Sequence, residues 1–135
     1  MKKNSVFGMV LLVLLGISQT AAAEEELAPG FDACMEKSGG VTADMRMCLN
    51  EAYEYWDAAL NENYAAAMKR CDETADPKAC KNKLRSAERL WVQYKTAMAD
   101  ALAELGGDGS LSLIISSDFL ARETKKQALE LDAGE

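Results

Sequence analysis

The chain has 135 residues, with Lys+Arg 15 against Asp+Glu 22 and a formal net charge of −7. That length points to one domain and leaves no room for a two-domain enzyme with a cofactor fold. There is no histidine, which removes Ser-His-Asp and Cys-His catalysis and histidine-dependent zinc sites, and the acidic balance argues against nucleic acid as a partner.

The chain opens with Lys2 and Lys3, an apolar run from Val6 to Ile17, and the small residues Ala21-Ala22-Ala23. This is the pattern of a bacterial secretory signal peptide over residues 1–23. Its apolar run is too short for a comfortable membrane span. No later segment is apolar enough to be one, so a periplasmic or secreted protein, free of the membrane after cleavage, is expected. Residues 24–30 (EEELAPG) read as a flexible leader, followed by a single domain over 31–132.

Phe31 to Ser38 is a short candidate helix that Gly39-Gly40 should end. Thr42 reads as an N-cap, with Asp44 in the first turn. From there Met45, Cys48, Leu49, Ala52, Trp56, Ala59, Leu60, Asn63, Ala67 and Met68 recur at steps of three and four. This predicts an amphipathic helix over about 43–73 with one polar interruption. Asp76-Pro77 is a cap followed by a first-turn proline. A second stripe follows, Leu84, Ala87, Trp91, Tyr94, Met98, Ala101 and Leu105, at the spacing of two helices packed along a seam. Gly106-Gly107 ends it. The two long helices are expected to form an antiparallel hairpin with Trp56, Trp91 and Tyr94 inside. Leu111 to Ile115 reads as a loop or one helical turn, because no partner strand exists elsewhere. A last helix is expected over about 117–131, packing through Phe119, Leu120 and Leu131. The fold class is therefore all-α: a hairpin with a short N-terminal helix and a C-terminal helix packed on it.

Four cysteines in an exported chain of this size read as two disulfides. Cys48 and Cys71 on one continuous helix would be roughly 35 Å apart at 1.5 Å per residue, far beyond the reach of about 7 Å. Cys80, beside the hairpin turn, is near Cys71 and far from Cys48. The surviving pairing is Cys34–Cys48 with Cys71–Cys80, two structural braces. The absence of CxxC argues against a redox role, and the wide spacing argues against zinc.

No phosphate loop or catalytic constellation stands out, and neither a cofactor nor a metal is implied. Glu51, Glu54, Asp57 and Glu62 lie on the first long helix, where a hydrated surface explains them better than an acid pair. A glycosidase also needs a sugar cleft that a helical hairpin does not offer. Tyr55 lies off the apolar stripe and reads as surface.

Read in order, FDACMEKSGGVTADMRMC, DAALNENY, LRSAERLWVQYK and ETKKQALEL resemble the lysozyme-inhibitor LprI-like N-terminal domain family of small exported bacterial proteins, over roughly residues 31 to 131. The resemblance rests on Asp57, Leu60, Asn61 and Tyr64 in the second word. In the third it rests on Leu84, Arg85, Ala87, Arg89, Trp91 and Tyr94, and in the last on Thr124 and Leu131. It implies a non-enzymatic protein that binds another protein, with a basic lysozyme as the specific partner. Asp57, Asn61, Tyr64, Arg85, Arg89, Trp91 and Tyr94 are then the candidate structural or binding residues. Asp57 and Asn61, one turn apart, are expected to reach Arg85 or Arg89 as a polar clasp. The chain departs from the family in three places. The second crosslink lies at Cys71–Cys80 rather than after the Trp-Tyr element, Lys95 stands where an arginine is usual, and Glu88 where a glutamine is frequent. A general envelope or stress-related binding module is the alternative, and a carboxylate-based peptidoglycan hydrolase a more distant one. The Gly39-Gly40 turn, the Asp72 to Asp76 tip and the Gly106 to Ser110 connection are candidate inhibitory loops. Oligomeric state stays open, since an unfilled apolar stripe can be completed by a second copy.

Overall fold

The computed structural model describes residues 25–132, so the signal-peptide segment lies outside the described residues. Among the described residues there are four α-helices: α1 (Phe31–Ser38), α2 (Thr42–Arg70), α3 (Pro77–Leu105) and α4 (Ser110–Leu131), with a 3-10 turn at Cys71–Glu73. None of these helices is long and apolar enough to cross a membrane.

α1 ends where Gly39 (φ 56°) and Gly40 (φ 82°) take up left-handed backbone that only glycine adopts freely. That pair turns the chain one residue sooner than expected. Val41, in extended backbone, is the N-cap of α2, and its carbonyl accepts from Met45 N–H at 2.9 Å. Thr42 is thus the first helical residue rather than the cap, and no side chain caps α2. Its buried positions, Cys48, Leu49, Ala52, Leu60 and Ala67, all belong to the predicted stripe. The polar interruption has a use: Asn63 Nδ2 donates to the Ala128 carbonyl of α4 at 2.9 Å. At α3 the expected start is realised. Asp76 Oδ1 accepts from Ala79 N–H at 2.9 Å, and Pro77 occupies the first turn.

The seam between α2 and α3 is not. α4 packs most extensively on α2 and next on α3. It runs parallel to α2, with Asn63 meeting Ala128 and Arg70 Nη2 donating to the Leu131 carbonyl at 2.8 Å. It runs antiparallel to α3, where Trp91 Nε1 donates to Glu123 Oε1 at 3.2 Å and Gln127 Nε2 to Glu88 Oε2 at 3.0 Å. With α4 taking the position expected of the opposite hairpin arm, α3 turns a different face inward. Lys95 and Ala99 are its buried residues. Of the predicted stripe, Leu84 and Trp91 are half-buried, whereas Ala87, Tyr94, Met98, Ala101 and Leu105 are exposed.

Two further expectations are corrected. α4 begins at Ser110, not near 117. Its first turns bury Ser112 and half-bury Ile114 and Ile115, so packing overrides the strand propensity of LSLII. The leader is not loose either: Leu27 and Ala28 are each 5% exposed and join Leu49, Ala52 and Ala121 in the core cluster. Trp56 Nε1 donates to the Leu27 carbonyl at 2.6 Å and Lys125 Nζ to that of Glu26 at 3.2 Å. An apolar pair on a short segment gains most by docking between α2 and α4.

Cys34 is bonded to Cys48 (Cα–Cα 5.8 Å) and Cys71 to Cys80 (5.5 Å), the pairing that helix geometry selects. The first ties α1 to α2; the second closes the turn between α2 and α3.

Candidate functional site

α2 and α3 leave an open groove of about 540 Å³ along one side of the molecule. From α2 it is lined by Tyr53, Asp57, Leu60, Asn61 and Tyr64, which recur at helical spacing on one face. From α3 come Arg85, Glu88, Arg89, Trp91, Val92 and Lys95. Six of the seven residues picked out by resemblance therefore meet in one place, although they come from two distant segments of chain. The seventh, Tyr94, does not: it lies roughly 140–180° round α3 from Arg85 and Arg89 and packs edge-on against Phe119 of α4, ring centroids 6.3 Å apart. None of the three candidate loops lines the groove.

The most buried ionisable group of the groove is Lys95, 7% exposed. Its ammonium lies 4.4 Å from the Trp91 ring centroid and 5.0 Å from that of Tyr53, and donates to Tyr53 Oη at 3.4 Å. Aromatic faces offset much of the cost of burying a cation. An ammonium carries three N–H bonds, however, and among the described residues no carboxylate pairs with this one.

The expected clasp is absent. Asp57 Oδ2 accepts from Asn61 Nδ2 at 3.3 Å on its own helix, and Arg85 Nη1 donates to Asn82 Oδ1 at 3.3 Å on its own helix. No ion pair joins Asp57 to Arg85 or Arg89 among the described residues. The reason is the wedge of α4, which takes up the inner faces of both helices and keeps the arms of the hairpin from closing. Glu88 is also engaged, by Gln127. The acidic groups of the groove thus have partners on the protein, while Arg85, Arg89 and Lys95 retain N–H donors with no acceptor among the described residues. On a chain of formal charge −7 this is a local patch of donors and positive charge beside two aromatic rings.

Sequence reading missed Tyr53 and Val92 and treated Lys95 only as a departure from a pattern. Tyr53 was within reach, being one turn before Asp57 on the same face. Lys95 was not, because burial of a lysine on aromatic rings depends on the rotation of α3. Glu54, weighed with Asp57 as an acid pair, lies outside the groove and accepts from Asn50 Nδ2 at 2.8 Å. Among the described residues no cluster of His, Cys, Asp and Glu is arranged to hold a metal ion.

The family model described as lysozyme inhibitor LprI matches residues 34–131. An uncharacterized protein of Rhizobium meliloti (strain 1021) is 30% identical over 96 residues, covering 65% of this chain and 69% of that relative. No solved structure matches.

Proposed function

This chain belongs to the lysozyme inhibitor LprI family, and from that membership we propose that it is an exported, non-enzymatic protein that binds and inhibits a lysozyme. On this reading residues 1–23 are a signal peptide removed after Ala23, and the protein works in the periplasm or outside the cell. The two disulfides fit an oxidising compartment.

The observation that carries the reading is the convergence of Asp57, Asn61, Tyr64, Arg85, Arg89 and Trp91 on one open groove. Residues that served packing alone would be spread through the core; these share a surface with donors left unused among the described residues. The groove would take acceptor groups of the partner, carboxylates or carbonyls, on Arg85, Arg89 and Lys95, with Trp91 and Tyr53 as the apolar contact. The acidic remainder of the surface would draw in a basic lysozyme and speed the encounter.

The test is a lysozyme turbidity assay with the exported, oxidised protein at low and moderate salt. Inhibition is expected, weaker at the higher salt because surface charges are then screened. R85A combined with R89A should raise the half-inhibitory concentration by about tenfold or more, the scale of losing an arginine anchor, with melting unchanged. No inhibition of any of several lysozyme types at micromolar protein would assign the chain to the broader class of envelope binding modules. Peptidoglycan hydrolysis by the protein alone would make it an enzyme.

A further inference from the structure

α3 carries a long apolar face that the described residues leave largely uncovered, the edge of Phe119 against Tyr94 being its inner margin. Leu90 is 63% exposed, Tyr94 47% and Leu105 83%, and Ala87, Ala97 and Ala101 beside them are exposed as well. They recur at the spacing of a helix–helix seam. At 3.6 residues per turn the face lies on the side of α3 away from Arg85, Arg89 and Val92. A straight apolar stripe several turns long fits another helix better than a loop. We propose that its occupant is α3 of a second copy of this chain, packed antiparallel about a two-fold axis close to Tyr94.

Charge selects the occupant and its direction. Lys83 and Glu104 are the only charged side chains on this face of α3, and they stand at nearly equal distances before and after Tyr94. Both are exposed, and neither forms an ion pair among the described residues. An antiparallel pair centred on Tyr94 sets Lys83 of each copy beside Glu104 of the other, once at each end. A parallel pair would set lysine against lysine and glutamate against glutamate.

Shape agrees independently. Near the start of α3 there is a hollow of about 740 Å³ whose walls include Ala75, Ala79, Leu84 and Ala87, with Leu131 opposite. Near its end stands Leu105, the most exposed large apolar side chain among the described residues. Leu105 lies about as far beyond Tyr94 as the hollow lies before it. The same two-fold operation that pairs the charges brings each Leu105 over the hollow of the other copy. Such an isologous contact closes on itself and does not propagate. It leaves both α2–α3 grooves open on opposite sides of the dimer, so that the assembly would be bivalent for whatever the groove binds.

Sedimentation velocity on the exported, oxidised protein across about 1–100 µM, the range in which a modest helix interface dissociates, is the direct test. A reversible dimer is expected. L105K should abolish it, and K83E or E104K alone should weaken it by about tenfold or more. K83E combined with E104K should restore it, because the charges exchange ends. All three residues are exposed and without ion-pair partners among the described residues, so unchanged melting curves are the check that folding is intact. A monomer throughout the range overturns the proposal. So does a dimer that L105K leaves untouched, or one that the double exchange fails to rescue. Lysozyme inhibition by the L105K monomer would show that this contact and the groove act separately, so the failure of one reading does not decide the other.

Discussion

Thr124 shows how little room the interior allows a polar atom. It is 0% exposed in the middle of α4, and its hydroxyl has no hydrogen-bond partner among the described residues. A buried hydroxyl that has given up water and gained nothing is a net cost. T124V, which keeps the shape and removes the hydroxyl, should stabilise the protein by about 1 kcal/mol; thermal unfolding followed by circular dichroism checks it, and a lower melting temperature contradicts it. Asn63 is the opposite case. A side chain that interrupts an apolar stripe finds the Ala128 carbonyl at 2.9 Å, and a weak point in the pattern becomes a link between α2 and α4. Lys95, laid against Trp91 and Tyr53, is a third solution, in which aromatic faces take the place of a carboxylate. None of these three roles was legible in the sequence, since each depends on what another helix presents.

Among the elements, α4 decides the most, and its position depends on Gly106. That residue has ordinary backbone angles, φ −70° and ψ −11°, so glycine is not there for conformational freedom. A Cβ at this point would stand 3.0 Å from Ser112 Cα and 3.2 Å from Ile115 Cδ1. The end of α3 and the first turns of α4 touch backbone to backbone. G106A should therefore push the start of α4 away and cost about 1–3 kcal/mol, the usual scale of overpacking. Thermal melting gives the cost, and faster amide exchange over residues 110–116 would locate it. The sequence located the helix break here correctly, because glycine pairs are strong punctuation, yet it could not reveal that the break doubles as a packing contact. For the same reason the sequence places the start of α4 several residues too late.

At the scale of the molecule, most of the small core is made of alanines and leucines drawn from α2, α4 and the docked leader. An eight-residue helix such as α1 is too short to persist alone, and the Cys34–Cys48 bridge, spanning 14 residues of sequence, fastens it to α2. Replacing both of these cysteines with serine should cost about 2–4 kcal/mol in urea unfolding and release α1 first. The Cys71–Cys80 bridge closes a shorter loop, spanning 9 residues, and the same exchange there should cost slightly less by the loop-closure argument. A tip bridge that mattered more than the α1 bridge would mean that the joint between α2 and α3, not the docking of α1, limits stability.

The all-α class, the breaks after α1, α2 and α3 and the pairing of the four cysteines were determined by the sequence alone, because each depends on short-range physics. Periodicity shows where a helix has two faces, glycine and Asp-Pro mark its ends, and the reach of a disulfide eliminates the wrong partners. Family membership was legible for a related reason, as the recurring words stand on those same helices. Which apolar stripe would be covered was a matter of tertiary structure. α3 bears two adjacent faces, one of Leu84, Trp91, Lys95 and Ala99 and one of Ala87, Tyr94, Met98 and Leu105, and the local pattern runs from Leu84 and Trp91 into the second. α4 chose the first by lying between the two long arms and burying Lys95 and Ala99. That one choice opened the α2–α3 groove, prevented the clasp between Asp57 and the arginines, and left the outer part of the expected seam, Ala87, Tyr94, Met98, Ala101 and Leu105, exposed, since a helix can present only one side to the core at a time.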